Sequence, residues 1–413
     1  SSRINLISSL KEGSTASTVK SSRNRMRNLL VTGQVAIGFM LLIGAGLMLR
    51  SFIKLQQVDA GYNSDHILTS NVPLSFSKYK ENKDNVVFFD TLVRKLEGTP
   101  GVQAVAVNSG PPLSPGRPGS QPFIIEGHPV APGEPSPAAD FNVASPDTFK
   151  VLGVPLLSGR FFTPGDKEGA PEVVIISRSL AKHYFPNEDP INKRVSGDEG
   201  KNWATIVGVV GDVRQYGLEK DPIDMGYQPY AQAPHGISIL MKTSDDPMNH
   251  VNQLRAAVYS IDPEQPITDV KTLDDLRGEN LAATRLTASL LALFAALALA
   301  IAATGLSGVT ALLVTQRTRE IGIRMALGAQ DTQVLRMVLL HGMRIIVIGL
   351  LIGIAGALAG SRLMSTLLFH TPANDPSTFA LVALLFLVVA LIASYIPARR
   401  VTEVDPLMAL RAE

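Results

Sequence analysis

Residues 29–49 read LLVTGQVAIGFMLLIGAGLML, an apolar run without a single charge. A helix needs roughly 20 mostly apolar residues to cross a bilayer, so this stretch settles the first question and makes the chain a membrane protein. Three further segments extend the reading. Residues 287–314 have length to spare, which tilt or an extension past the membrane would absorb. Residues 379–396 are equally apolar, and 334–360 qualify although His341 and Arg344 interrupt them. Arg344 lies near one end of its apolar run, where its guanidinium can snorkel to the interface. Arg50-Ser51-Phe52 follows the first run in place of a small-residue cleavage site, so that run reads as an anchor and not as a removed signal.

The formal net charge of +2 conceals two opposite regions. Residues 50–286 carry 23 Lys/Arg against 29 Asp/Glu, a net of −6, while the remainder carries 15 against 7, a net of +8. Basic residues next to membrane helices favour the cytoplasm. Lys20, Arg23, Arg25 and Arg27 precede the first span, Arg317, Arg319, Arg324 and Arg336 lie between the second and third, and Arg399 and Arg400 follow the fourth. One topology satisfies all of them: both ends cytoplasmic, 50–286 outside and 315–333 inside. There is no cysteine, hence no disulfide framework and no thiol chemistry. No basic patch is interleaved with aromatics, so no nucleic-acid partner is expected.

Within 50–286 two modules each read strand, helix, strand: 67–74, 86–96 and 102–107, then 237–242, 248–259 and 267–270. One helix is expected after Asp84 and another after Asp245/Asp246, each with an amino-terminal cap there. Two such βαβ modules suit a small α+β sheet with its helices on one face. The Gly- and Pro-rich segment between them, with short strands at 123–126, 173–176 and 205–210 and a helix near 179–184, reads as an inserted, mostly β subdomain packed separately. The fold class is therefore an α+β membrane protein with four transmembrane helices and a large extracytoplasmic α+β domain between the first and second. Ser114, His128, His183, His235 and His250 are scattered without metal-ligand spacing, and no G-x-S-x-G elbow or Walker A loop occurs. No catalytic, metal or directly bound cofactor residue is expected.

Small residues recur every four positions in the second span at Ala292, Ala296, Ala300, Thr304 and Gly308, and the third holds Gly349-x-x-x-Gly353 and Gly356-x-x-x-Gly360. Such stripes let helix backbones approach closely in lipid. No span carries paired carboxylates or a His/Asp relay of the kind an ion-coupled carrier places at membrane depth.

The short charged stretch Arg317-Thr-Arg-Glu-Ile-Gly-Ile-Arg-Met-Ala-Leu-Gly-Ala329 reads as a short cytoplasmic helix. Glu320 and Arg324 are four apart and can pair, Ile321 and Met325 form an adjacent apolar strip, Gly328 suits the helix end, and Asp331 can cap the next helix. An amphipathic helix in this position is suited to dock in another protein's groove.

This pattern resembles the FtsX/MacB-type permeases of ABC systems. Leu47-Met-Leu-Arg-Ser-Phe52, Phe149-Lys-Val-Leu-Gly-Val-Pro155 with Gly159-Arg-Phe161, and Ile396-Pro-Ala-Arg-Arg400 with Asp405-Pro-Leu-Met-Ala-Leu410 carry the likeness across nearly the whole chain. Its nearest type is one half of the duplicated acidobacterial orphan permeases, with a MacB-like periplasmic core as the outer domain. The resemblance implies a separate ABC ATPase subunit docked on the cytoplasmic loop through Arg319, Glu320, Ile321, Gly322, Arg324, Met325 and Gly328. It implies ATP acting only through that partner, and motion relayed by long helices. A membrane-anchored envelope sensor or scaffold without its own ATPase is the alternative.

The chain opens on Ser1 rather than Met, as expected of a piece of a longer polypeptide, and Ile4-Asn-Leu-Ile-Ser-Ser-Leu-Lys11 parallels Val404-Asp-Pro-Leu-Met-Ala-Leu-Arg411 in register. Residues 1–28 are thus expected to be the cytoplasmic tail of a preceding repeat. After them come a span at 29–49, the outer core at 50–286 and a second span at 287–314. The coupling loop at 315–333, a span at 334–360, a short outer loop at 361–378, a span at 379–396 and a cytoplasmic tail at 397–413 complete the layout. Expected partners are the ATPase, a second repeat or a homodimer mate, membrane lipid of the bacterial inner membrane, and an envelope protein.

Overall fold

The computed structural model describes residues 6–75, 77–113, 119–128, 133, 135–234, 238–326, 330–363, 368–369 and 371–402; side chains are described from Arg25 onward, apart from 317–326 and scattered positions in 331–341, 361–363 and 400–402. The chain divides into two compact units, one built on residues up to Gln56 and from Thr284 onward, the other Gln57–Ala283.

The first unit is helical. It holds α1 (Leu6–Gln56) and, further along the chain, the inner part of α6 (Leu273–Ala326) with α7 (Asp331–Leu363) and α8 (Pro376–Thr402). Among the described residues four helices are long and apolar enough to cross a membrane: Arg25–Gln56, Leu273–Gln316, Gly342–Gly360 and Pro376–Arg399. On α1, Val31, Val35, Phe39, Ile43 and Leu47 recur every four residues. That spacing gathers them on one face, buried against Leu306 and Val309 of α6, Ile346 and Leu350 of α7, and Phe386 and Ala390 of α8. Helix α7 comes close enough that a methyl on Gly349 would lie 2.4 Å from Val35 Cγ1, and one on Gly353 3.0 Å from Phe39. These glycines let the two backbones approach.

The α6 stripe read from the sequence behaves differently. Ala292, Ala296, Ala300, Thr304 and Gly308 are all exposed. The buried positions from 288 to 310 are Ala288, Ala295, Ala302 and Val309, with Leu306 and Thr310. That seven-residue spacing is the seam along which a helix packs on near-parallel neighbours, and it lies on a different face from the four-residue stripe. Among the described residues the stripe is left largely uncovered.

The second unit is built on one continuous sheet. In chain order its elements are β1 (Ile67–Asn71), α2 (Asn82–Glu97), β2 (Val102–Asn108), β3 (Gln121–Pro122), β4 (Ile124–Ile125), β5 (Ala138–Ala144), α3 (Thr148–Leu152) and β6 (Leu156–Gly159). There follow β7 (Val173–Ser177), α4 (Arg178–Tyr184), β8 (Arg194–Ser196), β9 (Ala204–Val210), β10 (Met225–Pro229), β11 (Ser238–Thr243), a 3-10 turn (Pro247–His250), α5 (Val251–Ile261) and β12 (Thr268–Thr272). The strand order is β12-β1-β11-β2-β5-β10-β7-β9-β8-β4, with β3 on β5 and β6 on β9.

The two βαβ modules share the sheet as expected, β1 lying antiparallel to β11 with Ile67 opposite Lys242 and Asn71 opposite Ser238. Helices α2 and α5 cover one face, where Phe88, Phe89, Leu92, Leu254 and Val258 meet Leu68, Val105, Val107, Ile239 and Met241. Each such side chain contributes about 1.5–3 kcal/mol when fully buried. The cap of α2 is Glu81, with Asp84 three residues inside it completing a capping box; the helix thus starts earlier than the expected position after Asp84. The inserted segment has its own core around Phe123, Val174, Ile176, Leu180 and Ile206. Its strands nevertheless extend the same sheet, joined among the described residues through the pair Asn108–Ala144 between β2 and β5. Expectation of a separately packed subdomain is corrected to that extent. Hydroxyls reinforce the joint: Ser145 Oγ accepts from Val107 N at 3.0 Å and Ser109 Oγ from Val143 N at 2.8 Å.

Candidate coupling site

The segment singled out in the sequence is not a separate helix. Helix α6 runs 54 residues without interruption from Leu273 to Ala326, so Arg319, Glu320, Ile321, Gly322, Arg324 and Met325 occupy its last turns. Gly328 lies outside the described residues, as do the side chains of the other six. Leu-, Ala- and Arg-rich sequence with no proline keeps the helix unbroken. At 1.5 Å per residue it is about 80 Å long, more than twice a hydrocarbon core of ~30 Å.

The outer end of α6 is anchored by contacts that the sequence reading passed over. Thr272 and Asp275 form a reciprocal cap: Asp275 N donates to Thr272 Oγ1 at 3.0 Å, while Thr272 N and Oγ1 donate to Asp275 Oδ2 at 3.2 and 2.7 Å. Lys271 Nζ reaches Glu279 Oε1 at 2.6 Å, Ser64 Oγ donates to Asp274, Arg277 donates to the Val58 carbonyl at 3.3 Å, and Asn280 Oδ1 accepts from Leu218 N at 3.2 Å. Strand β12, the segment leaving α1 and the loop at 218 are thereby tied to the first turns of α6. The signal was present as Thr272-x-x-Asp275 ahead of a long apolar run, the pattern of a capping box.

In the helical unit, Arg50 at the outer end of α1 pairs with Asp375, which also caps α8 by accepting from Thr378 N at 2.9 Å. Hydrogen bonds from Thr378 and Ser377, with Arg50 nearby, hold the Asp375 carboxyl down to about 2. Ser51 Oγ accepts from Phe369 N at 2.8 Å. The Leu47–Phe52 motif thus ties α1 to the connection between α7 and α8.

The motif around Gly159-Arg-Phe161 is equally structural. Arg160 grips Asp166 through both nitrogens at 2.7 and 2.8 Å, and Phe161 stacks on Phe149. Of the histidines, His128 faces Glu188 at 3.4 Å, His183 faces Asp224 at 2.7 Å and His250 faces Asp245 at 2.6 Å; Ser114 and His235 lie outside the described residues. Among the described residues no group of three or more His, Asp or Glu side chains could hold a metal.

Four membrane-length helices with a large α+β domain inserted after the first define the class: an integral membrane protein with an extracytoplasmic domain. Comparison with known families fixes the rest. Residues 29–261 match the MacB-like periplasmic core domain and residues 292–406 the FtsX-like permease C-terminal family. The chain belongs to the FtsX/MacB-type permeases of ABC transporters. It is 28% identical over 276 residues to the macrolide export ATP-binding/permease protein MacB of Mannheimia succiniciproducens, covering 64% of this chain and 42% of that one. It is 29% identical over 285 residues to the pyoverdine export ATP-binding/permease protein PvdT of Pseudomonas syringae pv. tomato, covering 64% and 41%. The chain therefore spans about two fifths of the length of these curated relatives. Among solved structures, the periplasmic region of MacB from Actinobacillus actinomycetemcomitans aligns at 20% identity and a TM-score of 0.37, over 55% of this chain and 97% of that one.

Proposed function

We propose that this chain is the permease part of an ABC-type system in the bacterial inner membrane, moving an extracytoplasmic domain at the expense of ATP hydrolysed by a separate ATPase subunit. Export or mechanical work on the envelope is the output, in keeping with the export names of the relatives. The observation that carries this reading is the continuity of α6. One helix is capped and cross-tied within the outer unit at Thr272–Asn280 and ends at the segment Arg319–Met325. A displacement applied at its inner end is carried along a rod whose outer turns are hydrogen-bonded to β12.

Docking of the ATPase rests on Glu320 and Arg324 for orientation and on Ile321 and Met325 for apolar burial, positions that repeat every four residues along α6. The exposed stripe Ala292–Gly308 supports a second repeat or a second copy as lateral partner. The test is recovery of the ATPase with the chain from native membranes, at matched membrane levels. Glu320→Lys should weaken recovery through repulsion of Arg317 and Arg324. Ile321→Asp should abolish it, because an unpaired charge would be buried. Full recovery with Ile321→Asp contradicts the coupling role and favours a membrane-anchored scaffold without an ATPase.

A further inference from the structure

The inserted β region holds a cleft, separate from every coupling contact above, of about 290 Å³. Phe141 lines it, and the way the sheet seats its ring is specific. Phe141 on β5 lies in register with Gly226 on the parallel neighbour β10. A methyl added to Gly226 would stand 2.4 Å from the ring, so the glycine makes the space in which the ring lies against the strand. Phe123 meets the same ring edge-on, with centroids 6.1 Å apart at 84°, which fixes its orientation. Phe141 stays only half-buried, with one side lining the cleft.

Around this platform stand planar polar side chains. Gln228, two residues along β10 from Gly226 and so on the same side of the strand, is exposed, as are Gln121 and Glu172. None of these three side chains is engaged by a partner among the described residues. Asp198 also lines the cleft and is held rigid: its carboxylate accepts from Ser196 Oγ at 2.7 Å and from Asn202 N and Nδ2 at 2.9 and 2.7 Å. That leaves the Asn202 carbonyl oxygen at the rim.

We infer that this cleft binds a neutral saccharide, one pyranose ring lying on Phe141 with its hydroxyls on the surrounding amides and Glu172. The C–H face of a sugar is apolar and suits an aromatic ring. Each sugar hydroxyl both donates and accepts, as amide side chains do, while a carboxylate adds acceptors. A purely apolar ligand would leave these groups facing it unpaired at a cost. For an ammonium ligand Glu172 is the one carboxylate of the cleft without a donor already on it, since three donors occupy Asp198, and the Glu172→Gln variant below separates the two ligand classes. The site faces the extracytoplasmic side, where envelope glycans are available.

The probe is tri-N-acetylglucosamine, titrated onto the full chain in phosphatidylcholine nanodiscs so that no sugar-headed detergent competes. Binding is followed by calorimetry and by saturation-transfer NMR. Saturable binding is expected, with the strongest transfer to ring protons. Gln228→Ala and Glu172→Ala should each weaken it roughly 3- to 10-fold, the loss of one hydrogen bond. Their melting temperatures should be unchanged, since both positions are exposed, and Glu172→Gln should cost little. Gly226→Ala should tilt the ring and weaken binding as well. Absence of saturable binding, or full affinity in Gln228→Ala and Glu172→Ala, overturns the inference. So does a Glu172→Gln variant as impaired as Glu172→Ala, which assigns the cleft to a cation. None of these outcomes depends on an ATPase, so they leave the coupling proposal untouched.

Discussion

His250 is the residue whose surroundings make the clearest statement about conditions. Its ring is almost wholly buried, with Nε2 2.6 Å from Asp245 Oδ1 and Nδ1 2.6 Å from Gln253 Oε1. It packs so tightly on Gly101 that a methyl there would come within 2.5 Å of Cε1. The hydrogen bond to Asp245 raises the histidine above its ordinary value; burial opposes this, while Gln253 and the nearby Asp246 add to it. A pKa raised on folding contributes stability that is complete below the unfolded value of about 6.5 and is lost as pH climbs through the folded value. The outer unit should therefore melt at a higher temperature at pH 6 than at pH 8.5, and His250→Gln should remove most of that difference. Melting curves at the two pH values check this; an unchanged slope in the variant contradicts it. None of this could be read in advance, because Gly101 lies about 150 residues from His250. The Asp245–His250 spacing taken alone looks like any loop.

At the scale of elements, the strands and short helices of the outer unit were legible because their periodicity is local. Short apolar runs mark β1, β2 and β11, and Phe88, Phe89, Leu92 and Leu96 mark α2 at helical spacing. Two things escaped. The full extent of α6 did, because Leu273–Ala283 is polar and carries no membrane signal, so only its cap announces the start. The face that α6 buries also escaped. A run rich in alanine offers both a four-residue stripe and a seven-residue seam, and composition does not say which one meets the chain's own helices. The exposed stripe leads to a definite expectation. The chain has no cysteine, so a single Ala296→Cys or Ala300→Cys is an unambiguous reporter. Mild oxidation in membranes should link these positions to a second copy, or to the second repeat where one polypeptide carries two. Ala302→Cys, buried at 2% exposure, should stay unlinked. Equal linking at all three positions, or none at any, contradicts a lateral contact through the stripe.

Helix α6 belongs in sequence to both units, its first turns to the outer unit and the rest to the helical one. The candidate coupling residues were legible as a motif, since charges and apolar side chains at four-residue spacing after a span stand out. Their place at the end of a helix that begins in the outer sheet was not, because it depends on contacts such as Ser64–Asp274 between residues 210 apart. The account requires that α6 carry the chain from an extracytoplasmic sheet to a cytoplasmic docking segment. Site-directed labelling tests this directly, with Ser136→Cys placed in the outer unit, where Ser136 is exposed, and Thr318→Cys placed in the last turns of α6. In sealed cells an impermeant maleimide should label Ser136→Cys and leave Thr318→Cys unmodified until the membrane is permeabilised. Labelling of both positions in sealed cells would contradict the account.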